Sequence, residues 1–312
     1  MNTLSTYVIK NCLISQVGIG LFTNTFLLLF HIFTLLQNHK PKPTELTISH
    51  LVLVHVVMLL VVVFLVSPDL SESLNYLNDF KCKAFFFVNR VMRGLSICTT
   101  CLLSMIQAIT ISPHTSWLAK FKHKPTDYIV HVFSFSWFLS LSSSSYLIFY
   151  TVASPNGNQT NLLVLSKHCS LSPMSYIIKG LFFTLTISRD VFLVGIMLLS
   201  SAYMVIVLFK HQRRFKYLHS TSLSSKVSPE KRATQTILLL VSFFVFMYWV
   251  DFIISFVSVL VWSYDPIILG VQKIVVNFYA TVSPLVLIVS DKRVINIVKN
   301  MWQKHHQFLT SY

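Results

Sequence analysis

LTISHLVLVHVVMLLVVVFLV, residues Leu46–Val66, carries no Asp, Glu, Lys or Arg from one end to the other. A helix needs about 20 apolar residues to cross the hydrocarbon core of a bilayer. This run is long enough, and it lacks the alternation that a spanning β-barrel strand requires. A helix satisfies its backbone donors and acceptors internally, which lipid demands. Six further runs share this character, at approximately Cys12–Leu36, Ala84–Ile111, Tyr128–Tyr150, Leu181–Phe209, Ala233–Trp262 and Ile267–Ser290. The expected fold is an all-α integral membrane protein, a seven-transmembrane helix bundle forming a single domain over residues 1–312.

Composition agrees with lipid as the main solvent. Only 11% of residues are charged and 54% are hydrophobic, with 26 Phe and a mean hydropathy of +0.66, whereas a soluble domain carries about 25% charged residues. A net charge of +15 raises the question of nucleic acid. The basic residues, however, sit in short tracts between apolar runs rather than along one face of a soluble domain, so no nucleic-acid partner is expected.

Those tracts set the orientation. Lys40, Lys42, Lys120, Lys122, Lys124, Lys210, Arg213, Arg214, Lys216, Lys226, Lys231, Arg232, Lys292, Arg293, Lys299 and Lys304 fall on one side. The other side has only Lys10, Lys81, Lys83, Lys167, Lys179 and Lys273. The N-terminus is therefore expected outside the cell and the C-terminus in the cytoplasm. The first apolar run is too long for a signal-peptide core and ends in a basic tract, so it reads as a retained anchor. Two connections are long: a polar outer loop over Thr151–Gly180 and a basic, Ser-rich inner loop over His211–Arg232. No inverted repeat relates the two halves, which weighs against a transporter.

Cys82 and Cys169 both fall on the oxidising outer side. A bridge between them would pin the long outer loop over the bundle, and the chain-entropy model gives about 4–5 kcal/mol for so long a loop. Cys98 and Cys101 have redox-motif spacing but lie inside an apolar helix, where packing is the better reading. Asn158-Gln159-Thr160 is a glycosylation sequon in the outer loop.

Apart from Lys273, near the outer end of the last run, five charges lie inside the apolar runs: Arg90, Arg93, Arg189, Asp190 and Asp251. Each costs a few kcal/mol at the membrane centre, so such groups mark function or a pair. Counting inward from the helix ends at 1.5 Å per residue places them roughly 12–17 Å below the outer boundary. They are expected around one level, with Tyr248, Trp249, Asn277 and Tyr279 in reach. Apolar walls with a few convergent polar groups describe a small-molecule site; pairing that merely holds the bundle together is the alternative. On the inner face, Lys210, Arg213, Arg214 and Lys216 end the fifth helix, while Lys231 and Arg232 begin the sixth. Such clusters fix topology and touch anionic membrane lipid. Pro284 should kink the seventh helix, whereas the sixth apolar run contains no proline.

Several motifs carry a resemblance. The third helix reads RGLSICTTCLLS over Arg93–Ser104 and QAITISP over Gln107–Pro113. The fifth has ISRDV at Ile187–Val191 and LSSAYM at Leu199–Met204. Next come LHS at Leu218–Ser220, SPEKRAT at Ser228–Thr234, ILLLVS at Ile237–Ser242 and Phe244-Val245, then FYA at Phe278–Ala280 and SPLV at Ser283–Val286. From the first inner loop to the seventh helix the chain resembles the vomeronasal type-1 receptors, with small departures such as Ala202 where Gly is usual. It lacks the acidic-Arg-aromatic triplet of rhodopsin-like receptors, having Ile111-Ser112-Pro113 there, and it has Ser283-Pro284 in place of their Asn-Pro.

The resemblance implies a chemosensory G-protein-coupled receptor for pheromones or other small molecules, steroids among them. It also implies an inhibitory-class heterotrimeric G protein at the basic inner face and residence in the plasma membrane of a sensory neuron. No cofactor or metal is implied. A bitter-taste receptor is the nearest alternative, opposed by the Cys82 and Cys169 pair and the third-helix motif. A channel or transporter would need polar groups through the full membrane depth. No enzyme signature such as His-Glu-x-x-His is present.

Overall fold

The computed structural model describes residues 2–37, 42–66, 79–113, 125–153, 163–166, 169–172, 175–218, 229–261, 266–291, 293–295 and 303. Its helices are α1 (Asn2–Gln37), α2 (Pro43–Val66), α3 (Asp79–Ile111), α4 (Pro125–Ser144), α5 (Tyr176–Leu218), α6 (Pro229–Val261) and α7 (Pro266–Ser290). Beyond a turn at Ser145, α4 continues as Tyr146–Tyr150. Each of the seven contains a stretch long and apolar enough to cross a membrane.

Local chemistry sets several of the helix ends. Pro43, Pro125, Pro229 and Pro266 open their helices, where a missing N–H costs nothing and the fixed φ already suits a helix. The break in α4 falls in a serine run. There Ser145 Oγ donates to the Ser142 carbonyl at 2.8 Å and Ser142 Oγ to the Leu139 carbonyl at 3.1 Å, so side chains compete with the backbone ladder.

Outward faces are apolar, with Phe22, Phe138 and Leu199 exposed, while polar side chains turn inward: Asn24, Thr47, His55, Ser104 and Gln107 are buried. Among the spans α3 has the largest buried share and serves as the central post. Without a hydrophobic force between helices in lipid, close packing and interhelical hydrogen bonds hold such a bundle. Asn24 Nδ2 donates to the Ala280 carbonyl at 2.8 Å and Gln16 Nε2 to the Ile274 carbonyl at 3.0 Å, joining α1 to α7. Gly20 permits that approach, because a Cβ there would lie 2.8 Å from Leu59 Cδ1 and 2.9 Å from Thr281 Oγ1.

The helices outrun several of the apolar stretches. α1 begins at Asn2 and α3 at Asp79, while α5 runs from Tyr176 to Leu218. Trp262, the expected end of the sixth helix, lies outside the described residues. The outer loop also holds more than a polar connection. β1 (Thr151–Ala153), β2 (Leu163–Ser166) and β3 (Cys169–Leu171) form an antiparallel sheet in the order β1-β3-β2. Ala153 is in register with Cys169, so the disulfide from Cys82 to Cys169 anchors this sheet to the top of α3, with a Cα–Cα distance of 5.9 Å.

Candidate ligand site and cytoplasmic face

Below that covered end, α3, α6 and α7 line a cleft. Arg93, Ser96, Tyr248, Asp251 and Tyr279 are its polar members, and Met58, Phe244 and Val276 supply apolar wall. Helical spacing explains the set. Arg93, Ser96 and Ile97 are three and four residues apart on α3, as are Phe244, Tyr248 and Asp251 on α6, so each group shares one face.

Arg93 Nη2 donates to Asp251 Oδ2, joining α3 to α6 across the cleft. Asp251 is buried, and its Oδ1 accepts from Gln272 Nε2 of α7 at 3.2 Å. The carboxylate thus meets three helices at one point. A second pair lies within α5, where Arg189 Nε and Nη2 donate to Asp190 Oδ1 at 2.9 and 2.7 Å. Arg189 Nη1 reaches Ser143 Oγ of α4 at 2.8 Å. Its guanidinium fits because position 94 on α3 has no side chain: a Cβ there would sit 3.1 Å from Nη1. The intramembrane charges therefore form two separate pairs rather than one network. Arg90, partly buried one turn above Arg93, makes no ion pair with a carboxylate among the described residues.

Not every expected pocket residue faces the cleft. Tyr248 lines it and Tyr279 closes its floor, with its hydroxyl 3.1 Å from Thr100 Oγ1 and its ring edge-on to Phe244 at 4.7 Å. Trp249 points outward at 56% exposure, against Phe252. It stands about 200° around the helix from Asp251 at 100° per residue, a rotation that excludes it from the polar face. Asn277 is buried, with Nδ2 donating to the Lys273 carbonyl at 2.7 Å, and it is not part of the cleft wall. Ser96, Gln272 and Met58 were not anticipated. Ser96 was within reach of the sequence by its spacing of three from Arg93; Gln272 and Met58 carry no local signal.

Beneath the cleft, His55 of α2 meets Ser96 Oγ through Nε2 at 2.9 Å and Ser283 Oγ through Nδ1 at 3.3 Å. Nearer the inner face the ties of α3 to α5 and α6 are neutral. Ser104 meets Ser200 at 2.8 Å, Ser112 meets Tyr203 at 2.8 Å, and Gln107 Nε2 donates to Thr234 Oγ1 at 2.8 Å. At the inner ends of α2 and α7, Arg293 Nη1 donates to Glu45 Oε1 at 2.9 Å. Lys210 and Arg213 are exposed at the inner end of α5. The side chains of Arg214, Lys216, Lys231 and Arg232, and the whole of Asn158, lie outside the described residues.

A cleft bearing an ion pair, set within a bundle of seven helices long and apolar enough to cross a membrane and with a disulfide-anchored sheet at the outer end of α3, is the architecture of a receptor. Residues 7–300 match the vomeronasal organ pheromone receptor family. The chain is 46% identical to rat vomeronasal type-1 receptor 90 over 287 residues, covering 92% of each chain. It is 43% identical to mouse vomeronasal type-1 receptor 48 over 291 residues, covering 93% of this chain and 96% of that one. This chain belongs to the vomeronasal type-1 family of pheromone receptors. It is a multi-pass, non-enzymatic chemosensory G-protein-coupled receptor, with a pheromone as ligand and a G protein as partner. The bitter-receptor and transporter alternatives fall away with that assignment.

Proposed function

We propose that the pheromone binds in the outer cleft between α3, α6 and α7 and acts on the Arg93–Asp251 pair. The observation that carries this reading is the position of Asp251, where one buried carboxylate joins α3 to α6 and accepts from α7. A ligand shifts a conformational equilibrium only through differential affinity for the two states, and a contact shared by three helices is where their relative placement can be weighed. Tyr248 and Tyr279 border the same cleft; Arg90, Arg189 and Asp190 shape the field around it.

The inner basic residues Lys210, Arg213, Arg214, Lys216, Lys231 and Arg232 would flank the G protein's docking cleft and touch anionic lipid. By family likeness that G protein is of the inhibitory class, and the receptor works in the plasma membrane of a sensory neuron as one membrane domain spanning residues 1–312. Asn158 carries a glycan, which a glycosidase-sensitive gel shift lost in Asn158→Gln would reveal.

The direct test is a screen of pheromone-like small molecules, steroids included, on cells co-expressing this chain and a promiscuous G protein. The charge-reversed pair Arg93→Asp/Asp251→Arg is then compared with each single change. Rescue by the double variant means the pair acts as a structural tie that the ligand perturbs. Failure of rescue with normal surface expression means direct contact between ligand and charge. Full agonist response in both single variants would contradict any role for the pair.

A further inference from the structure

Among the described residues, side-chain hydrogen bonds and ion pairs join α6 to α3 at two places, the Arg93–Asp251 pair near the outer end and the Gln107–Thr234 bond near the inner end. Gln107 and Thr234 are both buried, at 3% and 0% exposure. Between these ties the contact is apolar, with Val241 and Phe244 packed in one cluster with Ile97 and Cys101. After its opening Pro229, α6 contains neither proline nor glycine, so it has none of the residues that most often kink a helix.

We infer that Gln107 and Thr234 are the clasp that holds the cytoplasmic end of α6 against α3. α6 turns as a straight rod about its Val241–Phe244 band when the outer pair is disturbed. This rests on the reading that the inner face receives the G protein and adds the residues that keep it shut. The geometry suits a lever. Asp251 lies seven residues above Phe244 and Thr234 seven below Val241, so each arm is about 10 Å at 1.5 Å per residue. Arms of equal length carry an outer displacement to the inner end at nearly full size. The clasp is 2.8 Å long, and a hydrogen bond is no longer one by 3.6 Å, so under about 1 Å of travel opens it.

The chemistry of the clasp suits repeated opening. Neutral interhelical hydrogen bonds in membranes are weak, so each shifts a two-state equilibrium by about threefold, equivalent to about 0.7 kcal/mol at 1.4 kcal/mol per tenfold. Gln107 and Thr234 are positioning residues: they touch no ligand and act through the placement of α6.

The test has two arms on the full-length receptor in cells. In the first, ligand-independent G-protein signal is read at matched surface expression. Thr234→Val and Gln107→Leu should each raise it about threefold, the double variant no further, and Thr234→Ser, which keeps the hydroxyl, should return it to the wild-type level. Loss of a merely structural bond would lower signal or surface expression instead. Unchanged or reduced basal signal in both single variants, with a signalling wild type, would overturn the clasp. The second arm needs no G protein. A short thiol-reactive crosslinker is applied to membranes bearing Gln107→Cys/Thr234→Cys. Crosslinking should fall when Asp251→Asn is added, because freeing the outer pair lets the inner end part. Equal crosslinking with and without Asp251→Asn would overturn the lever. If no variant or wild type signals through any G protein, the coupling reading fails, and the crosslinking result still decides this inference.

Discussion

Around α3, the outer and inner halves of the bundle join their helices by different chemistry. Outside, three arginines and two aspartates lie within the apolar spans, and both carboxylates are occupied, Asp251 by Arg93 and Asp190 by Arg189. Inside, between α3 and its neighbours α5 and α6, the ties are hydroxyl to hydroxyl or amide to hydroxyl: Ser104–Ser200, Ser112–Tyr203 and Gln107–Thr234. A buried charge is costly unless paired, and removing its partner costs about 3–5 kcal/mol. A neutral interhelical bond is worth about 0.6 kcal/mol on average. The charged half therefore keeps its geometry until something competes for the charges, whereas the neutral half yields to small forces. A receptor needs that asymmetry, with selectivity where the ligand enters and compliance where the partner docks.

The comparison can be broken most severely at its outer cover. Cys82→Ser frees the sheet from α3, and loss of a native disulfide costs about 2–5 kcal/mol, so surface expression should collapse. Non-reducing peptide mapping of the unmutated receptor should recover Cys82 joined to Cys169. Recovery of both as free alkylated thiols would remove the cover from the account. Smaller is the effect of Gly20→Ala, whose new Cβ would press on Leu59 and on Thr281 of α7. Overpacking of this kind costs about 1–3 kcal/mol, read as a lower thermal midpoint of the detergent-solubilised receptor. Gly18→Ala, with nothing within 4 Å of the added atom, is its control. Smallest of all should be Trp249→Ala. Exposed substitutions away from special features stay within about 0.5 kcal/mol, so agonist potency should move by no more than about twofold. A larger shift would mean that the outward face of α6 also meets the ligand.

How far the sequence could be read follows the same physics. The seven spans were legible because lipid imposes length and composition on whatever crosses it, and Leu46–Val66 alone carries that signal. The helix ends were not, because the turns of α5 that extend to Leu218 lie beyond the apolar run and obey ordinary helix rules. The outer sheet was hidden in three strands of three or four residues, too short for a period to register. The level of the intramembrane charges could be counted from helix ends, but their pairing could not. Arg189 bonds its own sequence neighbour, although adjacent residues on a helix do not face one another; the long arginine folds back because position 94 has no side chain to block it. Trp249 was a different kind of miss. Its rotation of about 200° from Asp251 follows from helix geometry alone, and that angle outweighs its nearness in sequence.

The Arg93–Asp251 pair is the centre of the account, and Asp251→Asn tests it most directly. Asparagine keeps the shape and part of the hydrogen bonding to Gln272 while deleting the charge. The measurement is a concentration–response curve for an activating small molecule at matched surface expression. At that matched expression the account predicts agonist potency shifted tenfold or more, about 1.4 kcal/mol. A midpoint and maximum both unchanged would contradict it, leaving Asp251 a tolerated polar group in a water-filled cleft.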